Sequence, residues 1–483
     1  MSMVKEKKRI DFTDGKIFFK ILLFVLPIMA TNLLQTFYNA ADMMVVSLSG
    51  EENAVGAIGT TTSFLHLVVN LFIGFAVGAN VVVARWIGAK DKERAQAAVH
   101  TAVVMSLIFG VCGALLGIAV AKPVLSLMGT KDDLLALATR YTYIYFLGVP
   151  FLACTNYLSA IFRAKGDSKT PLVVLSFAGL LNVGFNFFFV LVVGLSVEGV
   201  AIATSIANAV STVVLLLKLR ADKDETQFSF RRCKITKSAF KEIIRIGLPA
   251  GIQSALFSLS NVLIQSSIVS INNAVTPAGE RFQPVVNGNS ASANLEAFVY
   301  TAMNAVAQGA VTFTGQNMGA DKPRRIKPIM YSCIAISTLI GVIMSGLFLL
   351  FAQPLLSLYG VKKSVEGSLE QIAYEAATTR LWWICLPYFL CGIMDSLTGV
   401  LRGLGRSLTS TIISLIGACF FRIVWLLTVF KWIFRLETIF ISYPISWVLT
   451  GIVAYVLILV IVKEAVRKQE KVETTQEITQ EIA

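Results

Sequence analysis

The chain has 483 residues, of which 55% are hydrophobic and 15% are charged, and its formal net charge is +13. A chain this apolar lacks the polar side chains needed to cover a soluble domain, so an ordinary soluble protein is excluded. The two His and seven Cys residues form no CxxC motif or metal-spaced cluster. We therefore expect no metal centre and no resident cofactor.

Apolar runs of about 20 to 30 residues recur along the whole chain, and each is long enough to cross a bilayer as a helix. We predict an all-α polytopic membrane protein with twelve transmembrane helices. The predicted spans are residues 17–48, 53–84, 96–121, 134–162, 170–194, 199–218, 242–273, 292–318, 327–352, 367–401, 408–430 and 437–462. The first run is too long for the core of a signal peptide, so we expect it to stay in the membrane.

The excess of basic residues follows from the predicted topology. If the N-terminus is cytoplasmic, the inner loops and tails carry most of the 42 Lys and Arg residues. This distribution is the positive-inside pattern, so both termini are expected in the cytoplasm. We expect a multi-pass protein of the plasma membrane, which in a bacterium is the inner membrane. Because topology accounts for the charge, the lipid bilayer is the expected partner and nucleic acid is not.

The second half of the chain repeats features of the first. The segment Phe162–Thr170 returns as Leu401–Thr409, and the Gly88-Ala89 turn returns as Gly319-Ala320. Internal repeats in an apolar chain are typical of a transporter with two lobes around a central site. Because each predicted half has six spans, an even number, an axis along the membrane normal should relate the two pseudo-symmetric lobes.

The composition predicts five parts along the chain. They are a cytoplasmic N-terminal tail at 1–16, an N-lobe at 17–219, a cytoplasmic connector at 220–241, a C-lobe at 242–466 and a cytoplasmic C-terminal tail at 467–483. The last part is rich in Glu, Gln and Thr and is expected to be disordered. An outer loop at 273–291 is expected only in the second half, because its Pro and Gly residues oppose a continuing helix. This loop either caps an outer opening or decorates the surface.

Three carboxylates interrupt the apolar runs: Asp42 in span 1, Glu296 near the outer start of span 8 and Asp395 in span 10. A charge inside a span costs roughly 3 kcal/mol or more, so each of these residues is a functional hypothesis. No loop has the glycine spacing of a nucleotide-binding motif, so transport would have to draw on an ion gradient.

Asp42 has the most informative surroundings. Thr31, Gln35, Tyr38 and Asp42 share one helical face because they are spaced by three or four residues. Pro27 lies deeper in the same span, removes one backbone hydrogen bond and predicts a hinge. Protonation of Asp42, or Na⁺ binding to it, would then be coupled to the shape of the helix. The alternative is a carboxylate that is permanently paired within the bundle.

Neutral oxygen-bearing side chains occur in neighbouring spans. Asn182 and Asn186 are one turn apart in span 5, Thr204 and Asn208 are one turn apart in span 6, and Asn156 is in span 4. Together with a carboxylate, such oxygens suit a hard cation or a proton relay. Hydrogen bonds that only hold the helices together are the equal alternative.

The acids of the second half have alternatives of their own. Asp395 shares a helical face with Tyr388 and is a candidate for binding a cationic substrate or a second coupling ion. Its alternative is a pair with a basic residue such as Arg422 or Arg380. Glu296 lies close to the start of its helix, so a place in a cavity and a purely interfacial position are equally favoured.

Several short motifs follow one another on the twelve spans. They are Leu26-Pro27 with Asp42, Gly88-Ala89-Lys90-Asp91, Phe162–Pro171, Asn182, Gly199–Thr204, Gln316–Ala320 and Leu401–Gly405. Each motif alone is weak, but in this order the chain resembles the multidrug and toxic compound extrusion (MATE) family of transporters. The resemblance covers residues 17–465.

The resemblance implies two six-helix lobes around a V-shaped central cavity, and export of small organic compounds, often cationic and amphipathic, in exchange for H⁺ or Na⁺. We expect the protein to act as a monomer. It implies an ion site around Asp42 that includes Asn156, Asn182 and Thr204. Many members have a second Asp where this chain has Asn186, which favours proton coupling or Na⁺ held by one carboxylate. The residues expected to line the substrate cavity are Gln35, Tyr38, Glu296, Tyr388 and Asp395.

Two alternatives belong to other functional classes. A lipid-linked saccharide flippase of the same superfamily would have more spans or a strongly cationic cavity. A membrane-embedded enzyme would need a nucleophile–base pair or a metal cluster within the bilayer. The sequence favours neither, so we expect a transporter and not an enzyme.

Overall fold

The computed structural model describes residues 12–47, 49, 54–127, 132–277 and 282–482. Within these residues the chain is helical and contains no β-strand. The long helices are α1 Ile17–Ser47, α2 Ala54–Gly88, α3 Lys92–Leu127, α4 Asp132–Ala164, α5 Lys169–Val192, α6 Val197–Ala221, α7 Lys237–Val275, α8 Pro284–Gly319, α9 Pro323–Leu350, α10 Leu369–Cys385 with Tyr388–Gly403, α11 Ser407–Trp432 and α12 Leu436–Ile482. A short helix, Ala352–Leu358, follows α9.

Eleven of the twelve predicted spans correspond to helical segments that could cross a membrane. In the described part of the chain, ten helices are long and apolar enough to cross a membrane. The two halves of α10 meet at an angle of 44° and together form an eleventh span. The remaining helix, α8, has 36 residues but several Asn and Ser residues in its first half. The predicted fold class, an all-α polytopic membrane protein, is confirmed.

Two predictions about irregular segments were wrong. Most of the predicted loop 273–291 is helical, since α7 continues to Val275 and α8 already begins at Pro284. Pro is well suited to the first turn of a helix, and the Asn272 side chain accepts a hydrogen bond from the Val285 amide at 3.1 Å. The predicted disordered tail continues α12 as far as Ile482 because Glu, Gln and Lys are strong helix formers.

Three helices contain a segment of the wider π-helical type, at Phe188–Val192, Leu381–Cys385 and Leu415–Phe420. Each segment lies within two residues of a buried polar side chain, namely Asn186, Arg380 and Arg422 respectively. Such segments are rare and change the direction in which neighbouring side chains point, and they occur often at functional sites.

The chain divides into two compact units. The first comprises the described residues of Met1–Ala255 together with Thr312–Ala320, and the second comprises those of Leu256–Val311 and Asp321–Ala483. The core of the first unit includes Phe146 and Val200, and the core of the second includes Ile384 and Phe440. The boundaries lie inside α7 and α8, and the five-part organisation stays a prediction.

The repeated Gly-Ala turns meet within the first unit. A Cβ atom on Gly88 would lie 2.0 Å from the carbonyl oxygen of Gln316, and one on Gly319 would lie 1.8 Å from that of Arg85. Both turns continue with a residue of positive φ, Lys90 in the first copy and Asp321 in the second. The glycines therefore allow the ends of α2 and α8 to touch, which explains why this motif occurs twice.

The contact predicts a stability difference between two Gly→Ala variants. Gly319→Ala should lower the unfolding free energy by about 1–3 kcal/mol, because its methyl group would overlap backbone atoms that cannot move independently. Gly346→Ala is the matched control, since a Cβ atom there meets nothing within 4 Å. Thermal unfolding of the purified variants in detergent measures the difference. Equal melting temperatures for the two variants would contradict the close packing of α2 and α8.

Candidate functional site

Asp42 lies on α1 against two helices of the first unit. The Asn186 amide on α5 donates from Nδ2 to Asp42 Oδ1 at 2.5 Å, and Asn186 is fully buried. Asn182, one turn earlier on α5, is joined to Thr204 Oγ1 on α6 at 3.2 Å. The structure thus brings together four of the five predicted ion-site residues in one hydrogen-bonded group.

The orientation of the Asn182 amide decides how Asp42 is satisfied. Rotation of this amide by 180° lets Nδ2 donate to Asp42 Oδ1 at 2.9 Å. Its oxygen then accepts hydrogen bonds from the backbone N–H and the hydroxyl of Thr204, both at 3.2 Å. We adopt this orientation because it satisfies both ends of the amide. Asp42 is then held by two amide donors, and Asn186 Oδ1 is buried without a partner in the described structure.

The fifth predicted member, Asn156, takes a different position. Its amide donates to the Leu152 carbonyl of its own helix at 3.0 Å. Two phenols on the same helix, those of Tyr141 and Tyr145, interact electrostatically with Asp42. This proximity could not be predicted from the sequence, because periodicity relates residues within one helix and not residues on different helices.

The other predicted residues of α1 have separate roles. The Tyr38 hydroxyl donates to the Ser176 carbonyl on α5 at 3.1 Å, and its ring lies where a Cβ atom on Gly179 would be. Tyr38 therefore ties α1 to α5, and its place in a substrate cavity stays a prediction. Gln35 is exposed. Pro27 lies inside α1, and its carbonyl accepts a hydrogen bond from the Thr31 hydroxyl at 2.8 Å.

The second unit contains a buried ion pair. The Arg380 guanidinium donates to Glu296 Oε2 from Nη2 at 2.7 Å and from Nε at 2.9 Å. Its Nη1 donates to Asn289 Oδ1 at 2.7 Å, and the Asn289 amide donates to Gln265 Oε1 at 3.2 Å. Glu296 is thus a buried acid that Arg380 neutralises. Its position relative to the membrane interface stays a prediction.

Asp395 does not have the suggested basic partners. Arg380 is used by Glu296, and Arg422 donates to Ser446 Oγ at 3.0 Å while its guanidinium lies 4.0 Å from the centre of the Tyr443 ring. Among the described residues, no ion pair within 4.0 Å joins Asp395 to either arginine.

The surroundings of Asp395 instead come from α8 and from the end of α10. Asp395 interacts electrostatically with Arg402 and with the Tyr300 phenol. The neighbouring predicted residue, Tyr388, packs edge-on between the rings of Tyr300 and Trp447. Tyr388 and Asp395 therefore belong to one aromatic and acidic region of the second unit. The part of the chain that the structure describes contains no group of three or more His, Cys, Asp or Glu able to hold a metal ion.

The family model MatE matches residues 27–188 and 249–428. The chain belongs to the MatE family. This identification confirms the resemblance, and because members of the family are membrane transporters, the expectation of a transporter and not an enzyme is also confirmed. The two matched regions correspond to the two repeated halves of the sequence.

Similar MatE proteins share most of the chain. The probable multidrug resistance protein YoeA of Bacillus subtilis (strain 168) is 28% identical over 404 residues, which cover 81% of this chain and 82% of YoeA. The multidrug export protein MepA of Staphylococcus aureus (strain NCTC 8325 / PS 47) is 24% identical over 419 residues, which cover 86% of this chain and 87% of MepA.

One similar solved structure is described as the outward-facing conformation of a multidrug resistance MATE family transporter of the MOP superfamily. It has a TM-score of 0.84 at 20% identity, and the match covers 96% of this chain and 100% of that chain. At this identity the similarity establishes the MatE fold alone.

The ion pair of the second unit predicts a stability difference. Arg380→Met should lower the unfolding free energy by about 3–5 kcal/mol, because Glu296 would stay buried without its counter-charge. The double variant Glu296→Gln/Arg380→Met should regain part of this loss. Thermal unfolding in detergent measures both effects.

The control is Arg140→Met, which removes an exposed partner of Glu198 at 3.6 Å and should cost about 1 kcal/mol or less. If Arg380→Met were no less stable than Arg140→Met, Arg380 would not neutralise Glu296.

Proposed function

We propose that this MatE transporter is a cation-coupled antiporter that exports small organic compounds, amphipathic or cationic in character, by alternating access. The coupling ion is H⁺ or Na⁺, and it binds at Asp42. The protein acts as a monomer in the bacterial inner membrane with both termini in the cytoplasm. The names of YoeA and MepA support multidrug export as the activity. The basic inner loops of the predicted topology support the orientation.

The partners of Asp42 and Glu296 support Asp42 as the coupling residue. Glu296 already faces the positive charge of Arg380, so its side chain has a built-in counter-ion. Asp42 instead contacts the neutral amide of Asn186 and, in the adopted orientation, that of Asn182. When Asp42 takes up a cation, the net charge of the site changes by one full unit, from −1 to 0. The same change at Glu296 would first require displacement of Arg380.

The two asparagines suit this exchange because an amide carries both a donor and an acceptor. With Asp42 ionised, their nitrogen atoms donate to the carboxylate. With Asp42 protonated, an amide oxygen can accept the new O–H. With Na⁺ bound, the amide and hydroxyl oxygens of Asn182, Asn186 and Thr204 can join the carboxylate as ligands. The site therefore offers hydrogen-bonding partners to Asp42 both with and without the ion.

Ion binding at Asp42 would act directly on the connection between α1 and α5. The Asn186–Asp42 hydrogen bond joins these helices, and the Tyr38–Ser176 hydrogen bond joins them a turn away. Pro27 supplies a weak point in α1 because it has no N–H to donate to the preceding turn. Replacement of the amide donors by a proton or Na⁺ would loosen this connection and let α1 bend at Pro27.

Flipping of a lipid-linked saccharide is the remaining alternative within the superfamily. It would need a strongly cationic cavity to hold the anionic phosphate groups of the substrate. Arg380, a buried arginine of the second unit, is neutralised by Glu296, and the half-buried Arg402 interacts electrostatically with Asp395. This balance favours the antiporter.

The coupling role predicts the behaviour of Asp42→Asn. We expect ethidium flux driven by an imposed pH or Na⁺ gradient to fall to the level of protein-free liposomes, because the amide cannot exchange a cation. Ethidium binding and the melting temperature should stay close to those of the unmodified protein. Flux measurements in proteoliposomes, with each gradient imposed in turn, also identify the coupling ion.

Asp321→Asn is the matched control. It makes the same chemical change at an exposed loop position of positive φ, which Asn tolerates, and its flux should be unchanged. Gradient-driven flux in Asp42→Asn equal to that of Asp321→Asn would refute coupling at Asp42.

A further inference from the structure

The first unit contains a cavity of about 240 Å³ away from Asp42. It lies where the beginning of α3 and the end of α6 meet the segment after α6, residues 222–236. Its lining residues are Gln96, Arg220, Gln227, Phe228, Ser229 and Arg232. In the proposed topology these residues face the cytoplasmic edge of the membrane.

The wall of this cavity is held in place by His100 on α3. Its Nδ1 lies 2.7 Å from the Gln96 carbonyl, which can only accept, so Nδ1 carries the proton. Its Nε2 then accepts a hydrogen bond from the Ser229 amide at 3.0 Å. The imidazole also stacks on the buried Phe228 ring with 5.1 Å between centroids. The segment after α6 is therefore fixed to α3 by specific contacts.

Two of the three acids of this segment, Asp222 and Asp224, are directed elsewhere. Lys165 is almost fully buried and pairs with Asp222 and, at 3.5 Å, with Asp224. Asp224 also accepts hydrogen bonds from the amide and hydroxyl of Thr226. Asp222 and Asp224 thus face Lys165 and not the arginines of the cavity.

The two arginines of the cavity have no acidic partner. Among the described residues, no carboxylate lies within 4.0 Å of Arg220 or Arg232. The Arg220 guanidinium lies 5.5 Å from the centre of the Phe230 ring, and Arg232 donates to the Gln96 side chain at 3.4 Å. Two unpaired guanidinium groups beside side-chain amides form a site suited to an anion, and to phosphate in particular.

The surface around the cavity changes from apolar to basic near the end of α6. On α6, Val213 and Leu217 are more than half exposed, and Arg220 follows within one turn. In the segment after α6, Phe230 and Ile235 are also exposed and alternate with basic residues. Apolar groups that point toward acyl chains and arginines at the headgroup level are typical of contact with an anionic membrane surface.

We propose that this cavity binds the phosphate group of an anionic phospholipid, with Arg220 and Arg232 as its ligands and Leu217 and Phe230 against the acyl chains. The lipid would fix the segment that joins the two halves of the chain to α3 and α6. The location in the inner leaflet rests on the proposed topology, whereas the binding itself requires no ion gradient and does not depend on antiport.

The test compares two variants that lose the same charge. Arg220→Gln/Arg232→Gln removes both ligands, and Arg231→Gln/Lys234→Gln removes two exposed charges that do not line the cavity. Native mass spectrometry of the detergent-purified protein, titrated with palmitoyl-oleoyl phosphatidylglycerol, measures lipid affinity. We expect at least about a tenfold loss of affinity for the first variant and less than about twofold for the second.

Titrations with the phosphatidylcholine analogue and with inorganic phosphate identify the source of the anion. Weaker binding of phosphatidylcholine, and no competition by millimolar inorganic phosphate, would support a lipid site. Equal losses in both variants, or equal affinities for the two lipids, would overturn the proposal. Competition by inorganic phosphate would assign the cavity to a soluble phosphate instead. Melting temperatures of both variants establish that each is folded.

Discussion

A carboxylate inside a membrane helix must be neutralised by a cation or surrounded by hydrogen-bond donors. In the first unit that requirement falls on Asp42, and the donors come from the amides of Asn186 and Asn182 on α5. Thr204 on α6 fixes the second amide in turn. One acid thus sets the positions of side chains on three helices, and any change in its ionic state must be transmitted to all of them.

The second unit meets the same requirement in another way. Glu296 has a permanent counter-ion in Arg380, which is oriented further by Asn289. Asn186 in the first unit and Arg380 in the second each lie beside a π-helical segment. The two segments are not at equivalent positions of the repeat. The two halves therefore share their turns and glycines but differ in their buried charges. This difference supports ion exchange in the first half and a fixed electrostatic environment in the second.

Much of the fold and part of the site could be predicted from the sequence. Hydropathy and the repeat gave the helical membrane architecture, and helical spacing with the family resemblance grouped Asp42 with Asn182, Asn186 and Thr204. The Glu296–Arg380 pair was missed because its members are 84 residues apart and no local pattern links them. Helix ends were also misjudged, since Pro284 begins a helix where its presence suggested a loop.

The central claim is that Asp42 exchanges the coupling cation. Infrared difference spectroscopy of the purified protein between high and low pH detects the C=O band of a carboxyl group that becomes protonated. With both pH values above about 5.5, where exposed carboxyl groups stay ionised, the account predicts that this band is present in the unmodified protein and in Asp321→Asn, is diminished in Asp42→Asn, and is suppressed by Na⁺ if Na⁺ competes for the site. A band of undiminished size in Asp42→Asn would contradict the account.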